Sequence, residues 1–227
     1  MTAAAHAAIG DCEAVTSGLL AAWQPANTLS SLAFVAGGLW LLAAAAAHRA
    51  GDEDRRLARA LAAALVAVGV GSVAYHGAGT AVARWAHDLS IVAVLLVVLA
   101  GAFDARWAGR WQVVTPTLVV AGGALAVRPE AAAPVSVVLA VAVVATALLR
   151  PGERPLLRAP WLSVAVLLVG AAVNALSRTG GPWCRPETWL QGHAAWHVAA
   201  AVAAAVWGAA VLRRSAREPD VSDRRRG

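Results

Sequence analysis

Five residues of this chain combine types and spacings that could do hydrolytic chemistry: Ser72 and His76, Asp88, and His193 and His197. Ser72 precedes His76 by four residues and His193 precedes His197 by four, so on a helix each pair shares a face. Two imidazoles from one helix and a third from another make a three-ligand set suited to zinc, with a fourth position left for water. Bound zinc lowers the pKa of that water towards neutrality and polarises a carbonyl. Asp88 is then the candidate general base, or the orienter of a ligand histidine. Ser72 is the candidate hydrogen-bond donor to a developing oxyanion or to the water. His87 stands beside Asp88, but adjacent side chains on a helix point apart, and it is assigned to the membrane interface. His6 and His48 are assigned to exposed loops.

These residues can meet only if one end of a helical bundle gathers them, and the composition is that of such a bundle. Of the 227 residues, 59% are hydrophobic and 14% charged, against roughly 25% charged in soluble domains. The charge is confined to short clusters between runs of Ala, Val and Leu. A membrane helix takes about 20 mainly apolar residues, and seven stretches fit: 27–47, 57–77, 86–104, 111–128, 132–149, 159–177 and 192–212. The fourth and fifth are parted only by Arg128, Pro129 and Glu130, and merging them would bring both termini to one side. The prediction is an all-α membrane protein, a seven-helix bundle spanning 27–212, with an outer segment 1–26 and a basic cytoplasmic tail 213–227.

Arginine sets the direction, since cytoplasmic loops retain positive charge. There is no lysine, and with the N-terminus outside, fifteen of the 19 basic residues fall on the cytoplasmic side. Only Arg84, Arg128, Arg178 and Arg185 fall outside. Ser72, His76, Asp88, His193 and His197 then share the outer half of the membrane, where buried ionisable groups point to function.

The same facts exclude several classes. The basic balance is accounted for by loops and tail, so no nucleic-acid partner is expected. A retinal protein needs a Schiff-base lysine, and no inverted repeat or pair of broken helices marks a transporter. Residues 1–26 lack a basic n-region and include Asp11 and Glu13, so no cleaved signal is expected. The Ala, Arg and Gly richness is that of a GC-rich, bacterial genome, which places the protein in an inner membrane with its site outward.

Ser72-Val73-Ala74-Tyr75-His76 after Gly69-Val70-Gly71, Asp88 twelve residues on, and Gln191-Gly192-His193-Ala194-Ala195-Trp196-His197 resemble the CREST superfamily of seven-helix membrane hydrolases, the alkaline ceramidases above all. Cys12-Glu13 and Asn27-Thr28-Leu29-Ser30-Ser31 are similar to segments of that family. The resemblance implies zinc on His76, His193 and His197, with Ser72 and Asp88 near the metal. It implies cleavage of a lipid amide, ceramide to sphingoid base and fatty acid. The progestin and adipoQ receptors, the haemolysin III-like proteins and the Per1 group share these motifs, so a receptor-like or haemolysin III-like protein is the alternative. Of the acids that hold calcium in the ceramidases, only Glu13 matches. Gly10 stands at the first acidic position, Asp11 is one residue out of register and Trp23 occupies the later one.

The two cysteines, Cys12 and Cys184, both fall outside, where an oxidising compartment allows them to pair or leaves two free thiols. Pairing would tie the N-terminal segment across the mouth of the site, as the resemblance also implies. Residues 178–191, with Gly180-Gly181-Pro182 and Pro186, read as an ordered outer loop. Trp85, Trp183 and Trp189 are assigned to the headgroup level and Trp196 to the bundle. Asn27 and Asn174 are assigned to interhelical hydrogen bonds. The expected partners are the bilayer and a lipid substrate, with no protein partner.

Overall fold

The computed structural model describes residues 10–14, 16, 24–48, 50–101, 110–149 and 161–215, so that His6, Trp23 and the tail beyond Ser215 lie outside the described residues. These residues form eight α-helices: α1 (Pro25–Ser30), α2 (Leu32–Ala47), α3 (Asp52–Ala78), α4 (Ala81–Gly101), α5 (Arg110–Val127), α6 (Ala132–Leu149), α7 (Trp161–Leu176) and α8 (Gly192–Ser215). Among them the β-type pairing is limited to an isolated bridge between Asp11 and Arg178. α1 and α2 are parted by the single residue Ser31, whose φ of −60° and ψ of −25° are right-handed helical, so that Pro25–Ala47 forms one apolar stretch. α5 and α6 are separate helices, divided by Arg128 and a 3-10 turn at Pro129–Ala131, because Pro129 has no N–H to continue α5.

Among the described residues five stretches are long and apolar enough to cross a membrane: Pro25–Ala47, Asp52–Ala78, Ala81–Gly101, Pro129–Thr146 and Gly192–Arg213. Ser163–Leu176 is a shorter apolar helix. α5 is not among the five, since Arg110, Gln112, Thr115, Pro116 and Thr117 make its first half polar. The chain is a multi-pass membrane protein. Valines that would cost free energy in water cover α5 and α6: Val119, Val120, Val137, Val138 and Val141 are all exposed, as lipid-facing positions are.

α3 is the central helix, packed against α1, α2, α4 and α8. Its first turn carries Asp52, Glu53 and Asp54, acids that complement a helix N-terminus. Leu57, Leu61 and Leu65 of α3 join Leu41 of α2 and Leu212 of α8 in the main core. A second core joins Val92 and Leu96 of α4 to Val114 and Leu125 of α5. Apolar contact holds such helices together less through water exclusion than through close fit, which favours small residues at crossings. At Gly71 a Cβ would come within 2.9 Å of the Cα and N of His87, so α3 and α4 touch backbone to backbone beside Ser72.

Candidate metal centre

Local sequence sets where each imidazole sits along its helix. α3 ends in a left-handed Gly79, φ 63°, whose N–H bonds the carbonyl of Tyr75 at 2.9 Å. Glycine takes that conformation without penalty, and it leaves His76 in the last turn. α8 starts at Gly192, so His193 lies in its first turn and His197 one turn deeper. Where α7 runs into α8 there is no room for a side chain, since a Cβ on Gly192 would overlap Ser177.

The three rings converge. One ligand atom from each of His76, His193 and His197 lies within 4.8 Å of the others. Ring centroids are 5.1 Å apart for His76 and His193, 5.2 Å for His76 and His197, and 4.4 Å for His193 and His197. His76 and His197 are buried, His193 partly so.

Each ring also has its Nδ1 occupied from behind. His76 Nδ1 is 2.6 Å from Gln24 Oε1, and His193 Nδ1 is 3.1 Å from Asn174 Oδ1 and 3.3 Å from Asp11 Oδ1. His197 Nδ1 is 3.0 Å from Ser30 Oγ and 3.4 Å from Ser31 Oγ. An amide or carboxylate oxygen can only accept, so Nδ1 of His76 and His193 carries the proton and Nε2 is a bare lone pair. His76 Nε2 is buried with no partner among the described residues. An orphaned buried nitrogen is costly unless something binds it, and outward-facing Nδ1 partners of this kind orient metal-ligating histidines. The donor set therefore fits a metal ion.

The remaining candidates take different places. Ser72 is fully buried, its hydroxyl 2.8 Å from Ser31 Oγ, which is in turn 2.6 Å from the Asn27 carbonyl. That carbonyl can only accept, so Ser31 gives its single proton there, and Ser72 keeps its own proton to donate. Asp88 turns to Arg84, 3.6 Å away, and to His87 Nδ1 at 3.0 Å.

His87 corrects the expectation from the sequence. Its ring does not point away from Asp88 but bonds it, stacks on Tyr75 at 5.4 Å and meets His76 edge-on at 6.2 Å. The backbone contact with Gly71 brings it inward. Trp85 is partly buried and donates to the Gly122 carbonyl at 2.8 Å, which ties α4 to α5. His48 is likewise not a free loop residue, for it is half-buried with Nδ1 2.9 Å from the Ala44 carbonyl.

A strap of residues 10–14 covers this end of the bundle. Cys12 and Cys184 form a disulfide, Asp11 bridges Arg178, and Ala14 N donates to the Pro186 carbonyl at 3.0 Å. Gln191 Nε2 donates to the carbonyls of Arg185 and Thr188 and so orders the loop before α8. Both oxygens of Glu13 accept helix N–H groups, from Ala26 at 2.6 Å and Asn27 at 2.9 Å. The one acid in register with a calcium set is thus the cap of α1, at donors that would otherwise be unsatisfied. Burial pushes the Asp11 carboxyl up to about 6, against Arg178 and His87, which favour its charged form.

The sequence reading passed over Gln24, Ser30 and Asp11 as partners of the ligands. The signal for Gln24 was a polar side chain just before Pro25, where the first apolar run begins. Over residues 8–179 the sequence matches the family described as Ceramidase. The chain belongs to the ceramidase family. No curated protein matches it. The ceramidase match takes in Ser72, His76 and Asp88 and stops before His193 and His197, so it is the fold that joins those two imidazoles to the first.

Proposed function

We propose that this protein is a zinc-dependent intramembrane amide hydrolase that cleaves ceramide to a sphingoid base and a fatty acid, with the metal on His76, His193 and His197. The observation that carries the reading is the trio of imidazoles with Nδ1 engaged behind and a bare, buried Nε2 on His76, in a chain of the ceramidase family. Three nitrogen ligands with no fourth His, Cys, Asp or Glu grouped with them among the described residues are the pattern of catalytic zinc. Bound there, zinc supplies a Lewis acid for the carbonyl and lowers the pKa of water.

The chain's own residues do the rest. Gln24, Asn174 and the serine pair hold the ligand rings in one tautomer and orientation. Ser72, with its proton free to swing from Ser31, donates to the carbonyl oxygen as charge develops on it. Asp88 supplies the carboxylate that proton traffic needs. We read seven crossings with the N-terminus outside, which the arginine distribution supports, and an outer-face site in a bacterial inner membrane.

The test is to incubate the purified protein, zinc-loaded or chelated, with ceramides and ester-linked acyl lipids and to measure released fatty acid. Zinc-dependent release from ceramide is expected. His193→Ala should abolish both zinc content and release. Full activity without metal would sink the mechanism, and ester cleavage without amide cleavage would move the substrate.

A further inference from the structure

Asp11 is a buried carboxylate that the proposed reaction leaves unused. Its side chain is 8% exposed, and its Oδ1 lies 3.3 Å from Nδ1 of the ligand His193. A carboxylate behind a ligand imidazole fixes the ring and raises its basicity. Asp11 and His193 are 182 residues apart in the chain, yet Cys12 directly follows Asp11 and its disulfide partner Cys184 stands nine residues before His193. The disulfide makes the pair near neighbours along covalent bonds.

The other anchors of the strap do not do this. The Glu13 carboxylate holds it to α1 through the N–H groups of Ala26 and Asn27, on the side of Cys12 away from Asp11. Towards the outer loop, Thr179 donates its N–H to the Gly10 carbonyl at 3.3 Å and its hydroxyl to the Asp11 carbonyl at 3.0 Å. The second of these bonds is exposed, where water competes, and a bond exchanged with water contributes little net. A covalent link that shortens the path between two groups raises their effective concentration for each other.

We propose that the Cys12–Cys184 disulfide is a redox latch of the metal centre: closed, it holds Asp11 on His193, and when a dithiol opens it, zinc affinity falls. This rests on zinc at the three histidines, and it makes Asp11 a positioning residue. Cys12 is buried and Cys184 half-buried, so the thiolate of the dithiol attacks the Cys184 sulfur. Cys12 leaves as a thiolate and takes up a proton. The second sulfur of the dithiol then closes on the first, and Cys184 leaves in the same way. Two electrons and two protons pass to the cysteines, and the reductant departs as its own disulfide. By linkage, zinc favours the closed latch by the same factor by which closure favours zinc.

Two measurements on the full chain in detergent, with free zinc set by a metal buffer, test the latch. In the first, Cys12→Ser/Cys184→Ser, which has no thiols to bind metal, is expected to bind zinc about tenfold more weakly than wild type. That is the low end for losing a partner behind a ligand, because Asn174 remains on His193. Asp11→Ala with the disulfide intact should lose the same factor, and the triple variant little more. In the second, wild type is equilibrated from both directions in mixtures of dithiothreitol and its oxidised form, and open and closed chains are counted by thiol alkylation and gel mobility. Zinc should raise the reductant-to-oxidant ratio at half-opening by about tenfold. Should the serine variant not fold, this equilibrium decides alone. Unchanged zinc affinity in the serine variant overturns the inference, as do losses that add in the triple variant or a half-opening ratio indifferent to zinc. Easier opening in zinc overturns it too, by making the freed thiols the ligands. If zinc-dependent release from ceramide is seen while the ratio ignores zinc, only this inference falls. If wild type binds no zinc, the zinc-hydrolase reading falls with it.

Discussion

Gln24 offers the sharpest test of how the metal centre is held together. Its side chain is 2% exposed, and its Oε1 lies 2.6 Å from His76 Nδ1. In Gln24→Leu the ring N–H would face apolar atoms with no water to replace the lost acceptor. An unsatisfied buried donor costs about 1–3 kcal/mol, and about 1.4 kcal/mol is a factor of ten in affinity. Part of that penalty is relieved if the ring flips, but a flipped ring no longer presents the same nitrogen to the metal. Either route weakens zinc binding, by about 10–100-fold, the usual effect of deleting a partner behind a ligand. Competition against a chromophoric chelator, starting from metal-free protein, would read the change. Gln24→Glu keeps the acceptor and should retain affinity. Gln24 also donates to the Glu13 carbonyl at 3.4 Å and accepts from Asn27 Nδ2 at 3.3 Å, so thermal midpoints of both variants should be recorded alongside. Zinc affinity unchanged in Gln24→Leu would refute the claim that partners on Nδ1 preorganise the site.

Other consequences are equally open to measurement. The Cys12–Cys184 link closes a separation of 172 residues, for which chain entropy sets an upper bound of about 5 kcal/mol; reduction should lower the thermal midpoint and shift gel mobility. Glu13→Ala removes the acceptor of two N–H groups of α1 and should cost about 1 kcal/mol, read as a lower midpoint with zinc content preserved. Gly71→Ala would drive a methyl into the backbone of His87 and should destabilise by about 1–3 kcal/mol, with the α3–α4 spacing reported by crosslinking.

The helices were legible because each apolar run is long and bounded by arginine, proline or glycine. Among the described residues five stretches are long and apolar enough to cross a membrane, and at Arg128–Ala131, where hydropathy alone left a choice, two helices are parted. The pairing of His193 with His197 was legible because four-residue spacing is a property of the helix itself. What stayed hidden depended on how helices cross. His87 was misassigned since a rule about neighbours on one helix says nothing of a second helix pressing at Gly71. Gln24 and Asp11 act across 52 and 182 residues, and no local pattern marks a polar residue as the partner of a distant ring. Glu13 was visible as an acid, but its use as a cap follows only once the strap is folded over α1.

The disulfide also imposes an order on how the molecule is made. Cys12 emerges early and its partner lies 172 residues later, which at about 5–20 residues per second is roughly 10–35 s of synthesis. Through that interval the first crossing helix and the one bearing His76 are already in the bilayer, while the helix bearing His193 and His197 does not yet exist. Cys184 precedes the last helix in the chain, so the strap can be tied before His193 and His197 have been made. Closure of the cover and convergence of the three imidazoles are therefore separable, and a chain that ends between Cys184 and His193 could have the first without the second.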